Sequence, residues 1–154
     1  MIKINDEIPK FEILTDTGDF KISNYKGKKI VVFFFPRADT SGCTAESIAF
    51  TNLQHEFDRL DCIVIGISKD NQKKQSKFRE KYNLTCELGA DFENDVCEQF
   101  GVWVEKSMYG KKYMGIQRST FLSNEQGIIT NVWEKVKVPG HAEEVLETVK
   151  SLNN

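Results

Sequence analysis

At 154 residues and a formal net charge of −2, the chain has room for one domain with a substantial core, and it carries no electrostatic footprint for nucleic acid or an anionic membrane. No apolar run approaches the ~20 residues a membrane span needs, and the opening MIKINDEIPKFEI has no small-residue cleavage site, so a cytoplasmic protein is expected. The four cysteines, Cys43, Cys62, Cys86 and Cys97, form no Cys-x-x-Cys pair and no zinc-ligand spacing with His55 and His141. No metal is expected, and the plainest reading is four reduced thiols buried as small hydrophobes.

In chain order, residues 11–15 and 20–23 flank the turn residues Asp16, Thr17, Gly18 and Asp19, which predicts a hairpin. Residues 26–29, Lys-Gly-Lys-Lys, read as a solvated loop. Residues 30–35, IVVFFF, form a continuous apolar run that suits a strand buried on both faces. Pro36 stops it, a turn follows, and a helix is expected over 43–60, with Ala45, Ile48, Ala49, Leu53, Phe57 and Leu60 at helical spacing. A second buried strand is predicted at 62–68, a polar helix at 71–82, a short strand at 84–88 and a short helix at 91–100. The stretch from Val102 to Gly115 reads as a long loop. Strands at 116–122 and 128–132 enclose the turn residues Asn124 to Gly127, and Pro139-Gly140 precedes a last amphipathic helix at 141–152. Strands alternating with helices predict an α/β sheet covered on both faces, in a single domain spanning 1–154.

Cys43 stands out by position. It lies at the exit of a central strand and in the first turn of a helix, where unpaired N–H groups and the helix dipole favour thiolate over thiol. A free thiol, with a reference value of ~8.5, is mostly protonated at neutral pH, so a reactive cysteine here needs such help. The bland alternative is a half-buried cysteine packing beneath the helix.

Pro36, Thr40 and Cys43 also form Pro-x-x-x-Thr-x-x-Cys, and the surrounding FFPRADTSGCTAE resembles the peroxiredoxins, in particular the bacterioferritin comigratory protein or peroxiredoxin Q subfamily. The resemblance continues through NDVCEQFGVW and GIQRSTFL and covers nearly the whole chain. It implies a thioredoxin-like fold, a central mixed sheet with helices on both faces, an N-terminal hairpin and an insert around 37–62. It implies a thiol-dependent peroxidase reducing hydrogen peroxide and organic hydroperoxides, with Cys43 as the nucleophile that becomes a sulfenic acid. It assigns peroxide binding to Thr40, whose plainer role is to cap the turn or helix. It gives Pro36 the shielding of the thiolate and Arg118 a reach to the catalytic thiol, whereas the sequence alone reads Arg118 as an exposed strand residue sharing a face with Thr120. Glu46, three residues after Cys43, is expected to contact that arginine. Arg37, His55 and His141 are read as having no chemical role.

The chain departs from the subfamily twice. Ser41 replaces the usual Pro before Gly42. Position 48, where many members have a resolving cysteine, is Ile48, and residues 71–82, the other usual location, contain no cysteine. A one-cysteine mechanism is therefore expected, with Cys97 as the one candidate for resolution within the chain. The implied partners are a peroxide and an external thiol (thioredoxin, glutaredoxin or glutathione), with no cofactor, nucleic acid or membrane, acting on a monomer. Two other functions fit such a fold: a thiol-disulfide oxidoreductase, which the absence of Cys-x-x-Cys disfavours, and a non-catalytic binding or chaperone module.

Overall fold

The structure, a computed structural model, describes residues 1–152. It is organised around β3 (Lys29–Phe34), every residue of which is buried. β3 pairs in parallel with β4 (Cys62–Ser68), which pairs in parallel with β5 (Glu87–Ala90), and it pairs antiparallel with β8 (Ser119–Ser123) on its other side. With β1 (Glu12–Thr15), β2 (Gly18–Lys21) and β9 (Ile129–Trp133) this gives a seven-stranded mixed sheet in the order β2-β1-β5-β4-β3-β8-β9. The predicted N-terminal hairpin is β1–β2, and β1 joins it to the main sheet through β5.

The apolar run of β3 feeds two cores. Ile30, Val32 and Phe34 face a layer with Val96, Cys97 and Phe100, whereas Val31, Phe33 and Phe35 face one with Cys43, Phe50, Phe78 and Val145. The period of two in a strand sends alternate side chains to opposite faces. Helices therefore cover both faces: α4 (Val96–Phe100) on one, and α1 (Ser41–Asn52), α2 (Gln54–Arg59), α3 (Gln72–Tyr82) and α5 (His141–Ser151) on the other. Phe33 stacks on Phe50 at 4.5 Å. It has room because its register partner on β4 is Gly66, where any Cβ would collide with the Phe33 ring.

Several elements differ from the sequence reading, each for a local reason. The helix expected over 43–60 begins two residues earlier and breaks at Leu53, where φ −101° and ψ 4° end α1 after Thr51 and Asn52, two weak helix formers. Cys86 precedes β5 instead of lying in a strand. The carbonyls of Leu84 and Cys86 accept from the Arg79 guanidinium at 2.7 and 2.9 Å, which occupies them before strand pairing begins. Residues 91–95 are not helical, because Asp91 turns its carboxylate onto the N–H groups of Val96 and Cys97 at 3.1 and 2.8 Å and so caps α4 from outside. Lys29 is not in a solvated loop. It is the first residue of β3, 3% exposed, with its Nζ 3.3 Å from Glu125.

The largest departure is the stretch 102–115. It is a hairpin of β6 (Trp103–Met108) and β7 (Lys111–Ile116), separate from the main sheet. Tyr109 and Gly110 at its tip have φ of 52° and 77°, the two positive values a two-residue primed turn requires. His141 opens α5, as expected from sequence. It is buried, bonded through Nε2 to Thr120 Oγ1 at 2.8 Å, and set edge-on to Phe50 and Trp133.

That histidine gives the fold a pH dependence. Burial pushes His141 down from 6.5 to about 4. Between those values the unfolded chain holds a proton that the folded chain does not, so this group withdraws stability as pH falls from about 6.5 toward 4. Glu46 acts in the opposite sense, since burial raises it from 4.5 to about 7 and the folded carboxyl keeps its proton across that window. The histidine contribution is therefore isolated by difference. His141→Gln, measured beside wild type by thermal melting, is expected to gain relative stability as pH is lowered from neutrality to about 5. A stability difference that stays constant with pH would remove this role.

Candidate active site

The loop after β3 is held from beneath. Phe35 N–H donates to the carbonyl of Ile67 at 3.0 Å, which keeps β3 and β4 together to the very end of the strand. The Asp70 carboxylate then accepts from the N–H of Ala38 and from Ser68 Oγ, each at 2.7 Å. Asp39, in the left-handed region at φ 62°, accepts from Tyr82 Oη at 2.6 Å and Lys81 Nζ at 2.9 Å, which ties the loop to the end of α3. Neither acid was singled out from sequence, because each is an isolated acid in a polar turn.

Thr40 is the N-cap of α1, with φ −94° and ψ 156°, but its side chain makes no cap bond. The hydroxyl donates instead to the Arg37 carbonyl at 2.8 Å, within the turn. That commits its proton and leaves its lone pairs at the exposed mouth of the loop. Of the two plain roles weighed for this residue, the structure has the turn and not the helix cap. Pro36 and Arg37 are exposed beside it.

Cys43 is the third residue of α1 and has no exposed surface. Its sulfur accepts from Arg118 Nη2 at 3.3 Å, and Arg118 Nη1 donates to Glu46 Oε1 at 2.6 Å. Arg118 lies just ahead of β8 and not within a strand, because its carbonyl takes the N–H of Val136 and the N–H of Gln117 goes to Val102. One planar guanidinium thus spans the thiol and a carboxylate one helical turn away. Gly42 makes this approach feasible, since a Cβ there would stand 3.2 Å from Arg118 Nη2. Glu46 is 1% exposed and its Oε2 has no protein partner, so burial pushes its carboxyl up to about 7 although Arg118 pulls the other way. The contacts with Glu46 and Cys43 raise Arg118, which stays a cation.

Among the described residues, the other thiols have no such guanidinium donor on their sulfur. Burial pushes Cys62 and Cys86 up to about 12, and Cys97 is raised by burial and by the Asp91 carboxylate beside it. Protonated thiols are poor nucleophiles, and of the four cysteines Cys43 is the one whose sulfur accepts from Arg118. Cys97 sits in the core layer across the sheet from Cys43. His55 is exposed and distant from these contacts in sequence and bonding.

This arrangement, a cysteine in the first turn of a helix with an arginine on its sulfur and a threonine hydroxyl at the mouth, can be compared with known proteins. The AhpC/TSA family model matches residues 4–132. The peroxiredoxin Bcp of Bacillus subtilis is 44% identical over 153 residues, 99% of this chain and 98% of the relative. The chain belongs to the AhpC/TSA family, as a Bcp-type peroxiredoxin. The peroxiredoxin Bcp of Escherichia coli is 37% identical, covering 97% of this chain and 96% of that one. Among solved structures, the bacterioferritin comigratory protein of Xanthomonas campestris, described with an alkyl peroxide reduction activity, superposes with a TM-score of 0.92 at 33% identity, covering 99% of this chain and 100% of that one. A peroxiredoxin Q of Xylella fastidiosa gives a TM-score of 0.94 at 32% identity, covering 100% of this chain and 99% of that one. The thioredoxin-like fold read from the sequence is the fold of these peroxiredoxins, and the chain is a thiol peroxidase.

Proposed function

We propose that Cys43 runs a one-cysteine peroxidase cycle on hydrogen peroxide and small organic hydroperoxides, with Arg118 and Thr40 holding the peroxide, Pro36 keeping water off the sulfur and Glu46 positioning Arg118. The observation that carries this reading is the 3.3 Å contact between Arg118 Nη2 and Cys43 Sγ. In the first step the thiolate attacks one peroxide oxygen. An S–O bond forms, the O–O bond breaks, and water or an alcohol leaves after taking up a proton. The sulfur gives up two electrons and becomes a sulfenic acid. The guanidinium faces both the attacking sulfur and the oxygen on which charge develops, and burial strengthens that interaction.

In the second half an external thiolate attacks the sulfenic sulfur, a disulfide forms and water leaves; a second thiol then releases Cys43. Thioredoxin, glutaredoxin or glutathione supplies these thiols. The one-cysteine assignment is supported by Ile48, by an α3 without cysteine, and by the sheet between Cys43 and Cys97. The acting unit in this reading is a monomer, and four unpaired cysteines suit the cytoplasm. No helix among the described residues is long and apolar enough to cross a membrane. Disulfide exchange as the main activity is disfavoured by the absence of a Cys-x-x-Cys pair and by the burial that raises the other three thiols.

The test is one equivalent of peroxide followed by dimedone trapping and non-reducing peptide mapping. The expected product is a trapped sulfenic acid on Cys43 with no internal disulfide. A dominant Cys43–Cys97 linkage, lost in Cys97→Ser together with thioredoxin-dependent turnover, would overturn the one-cysteine cycle. An unoxidised Cys43 would overturn the peroxidase chemistry.

A further inference from the structure

One charged side chain beside the site has no role in the cycle above. Lys106 lies on β6 directly opposite Tyr113 of β7. Opposed residues of an antiparallel pair share a face, and the faces alternate along each strand. Val104, Lys106, Met108, Lys111, Tyr113 and Gly115 therefore form one face of the hairpin. The other face carries Ile116 and Trp103 into the core and pairs Lys112 with Glu105 at 3.6 Å. The hairpin thus has one lysine with an acid on its core-side face, and two on the opposite face, of which Lys111 is exposed at the tip and Lys106 is half-buried.

The stem of Lys106 crosses Gly115, where a Cβ would meet its Cδ at 3.1 Å and its Cε at 3.4 Å. From Gly115 the chain runs through Ile116 and Gln117 into Arg118, and the bond of Gln117 N–H to the Val102 carbonyl at 2.8 Å pins the base of the hairpin there. Lys106 is half-buried and has no hydrogen bond or ion pair among the described residues. Burial and the Arg118 guanidinium pull it below its ordinary value, while the Cys43 sulfur pulls the other way, so the ammonium lies within the field of the reacting centre.

A half-buried ammonium next to a guanidinium is costly without an anion. Hydrogen peroxide is neutral and gains nothing from it. A carboxylate attached to an organic hydroperoxide would supply the missing partner, and on the same face Met108 and Tyr113, 56% and 43% exposed, offer apolar surface for the intervening carbon skeleton. We propose that Lys106 is a specificity-determining residue that favours organic hydroperoxides bearing a carboxylate over neutral ones of the same shape. This rests on the peroxidase reading and refines its substrate class.

The experiment compares the para-carboxylate of cumene hydroperoxide with its methyl ester, each in single-turnover oxidation of the reduced protein. Wild type is expected to react roughly three- to tenfold faster with the acid, the scale of one partly screened charge pair, and to lose the preference as salt is raised. Lys106→Met should bring the acid-to-ester ratio to about one, Lys106→Arg should keep it, and Lys112→Met, which removes the same charge from the other face, should keep it too. A wild-type ratio of one, a ratio indifferent to salt, or an equal loss in Lys112→Met would overturn the inference. Failure of the wild-type protein to oxidise at all, with hydrogen peroxide included, would instead overturn the peroxidase reading.

Discussion

Cys43→Ser is expected to abolish peroxide turnover, while Cys62→Ser, Cys86→Ser and Cys97→Ser each retain most of it. A serine hydroxyl at the same place offers no anion of comparable nucleophilicity at neutral pH, and Arg118 cannot supply one. The other three thiols are held protonated by burial, and none contacts Arg118. Their replacement has a cost of another kind, since a hydroxyl buried without a partner destabilises by about 1–3 kcal/mol. Peroxide consumption with dithiothreitol, with melting curves on the same samples, separates lost chemistry from lost folding. Turnover at the wild-type rate in Cys43→Ser would sink the assignment.

The second large effect is at Arg118. Arg118→Ala removes the donor to the sulfur, and the peroxide rate is expected to fall by roughly 10²–10³, the range seen when a preorganised charge-stabilising donor is deleted. Alkylation of Cys43 by iodoacetamide should fall much less, because that reaction has no peroxide to hold. The same substitution leaves Glu46, 1% exposed, without its cation, and breaking such a pair costs about 3–5 kcal/mol when the remaining group stays charged. With the Glu46 carboxyl already pushed up to about 7, that loss should be smaller below neutrality, where the carboxyl takes a proton. Arg118→Ala/Glu46→Gln removes the stranded acid and should recover stability without recovering the peroxide rate. Recovery of both would make Arg118 a structural residue, and equal losses toward peroxide and iodoacetamide would take it out of peroxide handling.

The strand–turn–helix that carries Cys43 was legible because a six-residue apolar run, a proline and a helical stripe are all local signals. The opposite faces of β3 follow from period two once the strand is known. What escaped depends on partners distant in sequence. Arg79 withdraws the carbonyls before β5, Asp91 caps a helix from outside its first turn, and Thr120 gives His141 a buried partner. The β6–β7 hairpin escaped for a different reason. Its strands are polar, Met108 and Tyr109 are exposed, and Tyr109 is an unusual residue for a primed turn, so neither alternation nor turn chemistry marked it. With the hairpin read as a loop, Lys106 had no reason to be noticed.

In the one-cysteine cycle proposed above, the continuous sheet between the layers of Cys43 and Cys97 has a kinetic consequence. Resolution within a chain proceeds at a fixed internal rate, so added reductant eventually stops helping. When the resolving thiol must come from solution, both halves of turnover are bimolecular encounters. The steady-state fraction of oxidised enzyme then reads the ratio of peroxide to reductant, each weighted by its own rate constant. Such a protein has no intrinsic maximum turnover set by its own rearrangement, and double-reciprocal plots at several reductant concentrations should be parallel lines whose intercepts approach zero as reductant increases.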